Sequence, residues 1–269
     1  TTFEQRVRRE GIRLVTFPLP VPAEDPAEVV RRFEERITDR TRLILVSHMV
    51  NITGQILPVR EVVALGRARG IPVIVDGAHA FAHFPFSLAD LECDYYATSL
   101  HKWLFAPFGT GFLYVRREQI GGLWPLMAAS EGQDEDIRKF EEIGTHPAPN
   151  YLAIGAALTF HEGMGAERKA ARLRYLRDHW AGALAGEDRV RFHTSFDPRF
   201  GCGIANVAVE GLAPGELASW LWQRHRIIVT TIGHPDCPGL RITPSVYTTM
   251  EELERFVDAM RHAIREGLT

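Results

Sequence analysis

Apolar positions along this chain follow two alternating periods. Short β-branched runs occur at residues 42–47 (RLILVS), 71–76 (IPVIVD) and 112–115 (FLYV). Between them lie stretches whose apolar residues recur every three or four positions, such as Val29, Val30, Phe33 and Ile37, and then Val59 to Arg69. The first kind predicts strands and the second amphipathic helices. Further strands are predicted at 12–17 and 94–98, and the end of a helix at 3–9, capped near Gly11. Residues 71–76 read as a strand buried on both faces. The proline-rich segment 18–26 (PLPVPAEDP) stops any helix, and Asp25-Pro26 opens the next one with proline in its first turn. Strand, helix, strand in succession argues for a parallel sheet with helices on its faces.

The pattern changes in the second half. Residues 116–140 are polar and loop-rich, and Asn150 begins an apolar helix. Gly163 to Gly165 mark a junction. After it come a helix over 166–185, strands at 190–193, 204–209 and 226–231, and helices at 214–225 and 250–266. The cations Arg168, Lys169, Arg172, Arg174 and Arg177 read as a solvated helix face. This divides the chain into a large unit, residues 1–163, and a smaller α+β unit, residues 164–269. The fold class is α/β.

Composition narrows the function. The chain has 269 residues, 45% hydrophobic and 24% charged, enough for sizeable cores. A formal net charge of −3 gives no reason to expect a nucleic-acid partner. No apolar run approaches a membrane span and no signal peptide is visible, so a cytoplasmic protein is expected. Three scattered cysteines, Cys93, Cys202 and Cys237, with no C-x-x-C, argue against a disulfide framework or a zinc site. No G-x-G-x-x-G follows a strand, which disfavours dinucleotide binding.

Candidate chemistry concentrates between Ile71 and Val115. The strand 71–76 ends in Asp76, followed by Gly77, and open α/β sheets bind ligands at that edge. Lys102 lies 26 positions further on, between His101 and Trp103 and after Ala97, Thr98 and Ser99. Pyridoxal phosphate needs a lysine amine for its Schiff base, a carboxylate facing its ring nitrogen, and donors for its phosphate. Other readings exist for each residue. Asp76 could cap a helix, Asn51 and Thr53 could cap a turn, and His79 could be a core histidine. His48 could pack beside the loop, and Arg241 could form a structural salt bridge.

The ordered motifs DGAHA (76–80), SLHKW (99–103) and GTGFLYV (109–115) resemble the class V aminotransferase family of fold-type-I pyridoxal-phosphate enzymes, nearest its isopenicillin-N-epimerase-like branch. The resemblance runs from about Gly11 to the C-terminus. It implies a three-layer, mostly parallel large domain, here lacking its N-terminal portion, and a smaller C-terminal α+β domain. It implies pyridoxal 5'-phosphate on Lys102, with Asp76 on the ring nitrogen and His79 against the cofactor. Asn51 would approach the ring hydroxyl or the substrate, and Ser99 and His101 the phosphate. Thr145, after Gly144, would reach the neighbouring subunit's phosphate, which implies a homodimer with shared sites. Arg241 would hold the α-carboxylate of an amino-acid substrate. Epimerisation, transamination and β-elimination all remain open. So does cysteine desulfurase or C–S lyase chemistry, for which Cys237, four residues before Arg241, is the candidate nucleophile. A non-catalytic fragment, unable to complete the cofactor site, is the alternative outside enzymes.

Overall fold

Four short strands build the first sheet. β1 (Ile44–Ser47), β2 (Val73–Asp76) and β3 (Tyr95–Ser99) lie parallel, and β4 (Gly111–Val115) joins β3 antiparallel, in the order β1-β2-β3-β4. The computed structural model describes residues 2–268. Ser47 pairs with Asp76 and Asp76 with Ala97, so the parallel strands end along one edge.

Helices preceding and joining these strands form where the sequence caps them. α1 (Thr2–Glu10) ends at Gly11, whose φ of 67° suits glycine. In α2 (Pro26–Glu34) the Asp25 carboxylate accepts the Ala27 N–H at 2.9 Å. α3 (Val59–Ala68) lays Val59, Val62 and Val63 into one core with Val46, Val73 and Val75. Gly66 permits that approach, because a Cβ there would sit 2.4 Å from the Val73 side chain. Short α4 (Leu88–Leu91) is capped by Ser87. Away from α3 the cover is thinner, and Leu45 and Leu113 stay 45% and 46% exposed.

Residues 12–17, predicted as a strand, are not one. Ile12, Leu14 and Val15 are exposed and the segment pairs with no strand among the described residues. β-branched alternation favours extended backbone, but a strand needs a neighbour to bond.

Beyond β4, three 3-10 turns (117–119, 131–133 and 137–140) punctuate the polar segment, and α5 (Ala148–Leu152) and α6 (Ile154–Met164) follow. The second sheet is antiparallel, in the order β5 (Val190–Phe192), β6 (Ala205–Val209), β8 (Gly239–Ile242), β7 (Thr230–Ile232). Against it pack α7 (Ala166–Leu184), α8 (Pro214–His225) and α9 (Met250–Glu266), burying Trp180, Leu184, Val207, Leu221, Leu240, Phe256 and Met260. α9 opens with a reciprocal cap between Thr249 and Glu252. β7 starts later than the predicted 226–231, after Arg226 ends α8 at φ 57°.

α7 packs into two hydrophobic clusters. Ala170 and Leu173 pack with Ala80 and Trp103, whereas Leu176, Trp180 and Leu184 belong to the core of the second sheet. Its cations correct the solvated-face reading, since Lys169 is 2% and Arg177 0% exposed. Residues 169, 173 and 177 are spaced four apart, so both cations share the buried stripe of Leu173. Each has polar partners there: Lys169 Nζ donates to the Trp103 carbonyl, and Arg177 donates to Asp178 at 2.8 Å.

Trp180→Ala is expected to destabilise the protein by about 3–5 kcal/mol, the range for truncating a buried aromatic. Trp124→Ala, at an 88% exposed position, should stay within about 0.5 kcal/mol. Urea denaturation followed by circular dichroism measures both.

Candidate active site

Where β2 ends, the chain turns sharply beneath Tyr96. The Gly77 N–H donates to the Ala97 carbonyl at 2.8 Å, and Thr98 Oγ1 donates to the Gly77 carbonyl at 3.1 Å. A Cβ on Gly77 would lie 2.0 Å from the Tyr96 ring, so no other residue fits this turn. Asp76 is thereby left exposed at the strand end, one carboxylate oxygen accepting the Ala78 N–H at 3.0 Å.

The lysine loop leaves β3 at the same edge. The Leu100 N–H donates to the Thr110 carbonyl at 3.0 Å and the Ala106 N–H to the Leu100 carbonyl at 3.1 Å, closing the loop around Lys102. Lys169 donates to the Trp103 carbonyl and lies 4.3 Å from the Phe105 ring centroid. Phe105 adopts φ 65°, a left-handed conformation uncommon for a bulky residue.

Arg241 approaches from the second sheet. Its Nη1 donates to the Asn51 carbonyl at 3.1 Å and its Nη2 to Thr230 Oγ1 at 3.3 Å, while its buried Nε has no partner. Asn206, beside Arg241 in the β6–β8 ladder, donates to the carbonyls of Ile52 at 3.1 Å and Cys237 at 3.0 Å. Gly54 holds the 51–55 turn against the second unit, since a Cβ there would meet the Ile204 carbonyl at 2.2 Å.

Charge is shared among these groups. Burial pulls the Lys102 amine below its usual pKa, Asp76 opposes the shift and Arg241 adds to it. His79 falls to about 3 through burial, then through the cations of Lys102 and Arg241. Burial also lowers the Arg241 guanidinium. A half-buried amine with a depressed pKa, one carboxylate and a guanidinium thus meet at the C-terminal edge of a parallel sheet. Such a set can bind an anion, hold a neutral amine and move a proton.

Of the residues singled out from sequence, Asp76, His79, Lys102 and Arg241 come within electrostatic reach of one another. Asn51 joins them through its carbonyl, its side chain remaining exposed. Ser99 closes β3, and His101 presents a buried Nδ1 with no partner. Thr145 lies exposed between Phe140 and α5, bonded to none of these groups, although Asn150 nearby donates to the Phe108 carbonyl at 3.1 Å. His48 packs against Phe84, Phe86 and Tyr96, and burial lowers its pKa to about 4. Cys237 is 1% exposed and burial raises its thiol pKa.

Sequence reading passed over His83, the inner role of Lys169, and Asn206. His83 is fully buried between the His79 carbonyl at 2.8 Å and the Gly203 N–H at 2.9 Å, and burial lowers it to about 3. Only the helical spacing of Lys169 with Leu173 carried a signal. Among the described residues, no cluster of His, Cys, Asp and Glu could hold a metal, and no helix is long and apolar enough to cross a membrane.

Histidines with depressed folded-state pKa values give stability that is present above the unfolded value near 6.5 and lost as pH falls below it. His48, His79 and His83 remain neutral when folded and gain protons on unfolding. Unfolding free energy should therefore drop from pH 6.5 to 5, by up to ~1.4 kcal/mol per pH unit for each histidine. His83→Gln should remove up to ~1.4 kcal/mol per pH unit from that slope, as read from urea titrations across that range.

The Aminotransferase class-V family model matches residues 3–256. The chain is 36% identical over 275 residues to isopenicillin N epimerase from Streptomyces clavuligerus, covering 96% of this chain and 69% of that protein. It is 27% identical to a cysteine desulfurase from Pectobacterium atrosepticum, covering 95% of this chain and 65% of that one. Among solved structures, apo cysteine desulfurase from Thermococcus onnurineus NA1 superposes with a TM-score of 0.84 at 22% identity, over 98% of this chain and 69% of that chain. The cystine C–S lyase C-DES, in complex with cysteine persulfide, superposes with a TM-score of 0.80 at 26% identity, over 95% and 70%.

Proposed function

The chain belongs to the class-V aminotransferase family, and from that premise we propose that it is a pyridoxal-phosphate enzyme acting at the α-carbon of an amino acid. A C-DES variant with glycine covalently linked to its PLP cofactor is among the structures it resembles. The observation that carries the proposal is the meeting of Lys102, Asp76, His79 and Arg241 at one sheet edge.

The residues present fit the cofactor. Among the described residues, His101 Nδ1 beside Lys102 is one of the buried polar atoms without a partner, a ring nitrogen free to meet a bound anion. Ser99 and His101 would hold the phosphate, Asp76 the ring nitrogen and Lys102 the aldehyde carbon. When bound, the cofactor supplies that carbon for attachment of an amine and a ring that accepts electrons from a bond breaking at Cα.

The chain's own groups supply the rest. The depressed pKa of Lys102 raises its neutral fraction, so it can act as a nucleophile and then take or return a proton at the substrate's Cα. Asp76 sets a negative charge where a ring N–H is to be retained. Arg241, braced by Asn51 and Thr230, offers a planar fork to the substrate carboxylate. Trp103 and Leu104 are buried behind the lysine and exclude water.

The likeness to isopenicillin N epimerase favours an epimerase-like outcome, with proton return at Cα. Desulfurase chemistry through Cys237 is disfavoured, because a sulfur acceptor has to be a mobile, accessible thiolate and this thiol is buried with a raised pKa. We further propose a homodimer in which Thr145 of each subunit serves the other's phosphate, consistent with its exposure. A reducing, cytoplasmic setting suits the three free cysteines.

Incubation with pyridoxal phosphate should give a visible absorbance band, and borohydride should fix the label on the peptide containing Lys102. Lys102→Ala should abolish both, whereas label on another lysine or no band at all would sink the reading. Cys237→Ala should leave kcat/KM with amino acids within about twofold. Loss of cysteine-dependent sulfur release in that variant would instead establish the desulfurase reading.

A further inference from the structure

We propose that Trp103 is a positioning residue that sets the tautomer of His79, leaving the ring proton on Nε2 as a single donor for an anionic or carbonyl oxygen held beside Lys102 and Arg241. The proposal rests on the reading of Lys102 as the reacting amine.

Three side chains form a closed triangle. The indole Nε1 of Trp103 lies 3.4 Å from His79 Nδ1. The indole stacks on the His83 ring at 3.6 Å between centroids, with 23° between planes. His83 Nδ1 in turn reaches the His79 carbonyl at 2.8 Å. An indole nitrogen can only donate, so His79 Nδ1 must be the acceptor. With its pKa held near 3 by burial and two cations, the His79 ring is neutral and carries one proton. That proton therefore sits on Nε2.

The triangle is anchored from outside. His83 must protonate Nδ1 to donate to the His79 carbonyl, and its Nε2 accepts the Gly203 N–H at 2.9 Å, so its own tautomer is fixed. A Cβ on Gly203 would meet His83 Nε2 at 3.0 Å and Leu173 Cβ at 3.0 Å, which keeps this contact close. Lys169 donates to the Trp103 carbonyl and holds the backbone of the indole that caps His79. A neutral donor beside two cations complements an oxygen without adding a third charge. A protonated imidazole would repel both Lys102 and Arg241.

Histidine-selective nitrogen NMR on the full chain, with and without pyridoxal phosphate, tests this directly. His79 is assigned by its loss in His79→Gln. From pH 5 to 8, Nδ1 of His79 should read as the bare nitrogen and Nε2 as the protonated one. Trp103→Phe, which keeps a ring but removes the N–H, should show mixed tautomers and lose about tenfold in kcat with KM little changed. A wild-type His79 protonated on Nδ1, or already mixed, overturns the proposal, and that spectrum decides even if the variant does not fold. A Trp103→Phe protein that keeps both the Nε2 tautomer and the rate overturns it equally. Wild-type protein that takes up no cofactor removes the reading of Lys102 but leaves the tautomer result standing.

Discussion

The site exists because polar groups of the second sheet and the segment before it reach the loops of the first and find partners there. The Gly203 amide meets His83, the Asn206 amide meets the Ile52 carbonyl, and Arg241 meets the Asn51 carbonyl. Leaving the buried His83 and Gly203 groups unpaired would cost more than the bond itself contributes. One docking of the two units satisfies all three, and it sets Arg241 beside Lys102. The small neighbours Gly54 and Gly203 make the approach sterically possible. α7 reinforces it by packing its first turns on Trp103 and its later turns on the second core.

Electrostatics follow from that docking. Two cations and one carboxylate share a partly desolvated edge, and burial with the Arg241 charge pulls the lysine amine below its usual pKa while Asp76 opposes the shift. The neighbouring imidazole is kept neutral by the same surroundings. A site of this kind favours an anionic ligand with an amine to exchange. That chemistry agrees with the family to which the chain belongs.

Particular elements show where pattern reading succeeds and where it fails. α8 and α9 form over the residues that helical spacing and capping marked, 214–225 and 250–266. Residues 12–17 had strand composition but no neighbouring strand to bond, and composition does not report a partner. Lys169 and Arg177 looked like surface charge, yet they line a buried stripe in which the Trp103 carbonyl and the Asp178 carboxylate accept hydrogen bonds from them.

The sequence by itself determined the family, the alternation of strands and helices, and the candidates Asp76, His79, Lys102 and Arg241. These are legible because periodicity and motif order are local properties of the chain. Tertiary structure alone decided that Arg241, 139 positions beyond Lys102, meets it, that His83 and Trp103 enclose His79, and that Cys237 is buried. Those outcomes depend on which buried donors face which acceptors once two sheets pack together, and no local pattern encodes that pairing.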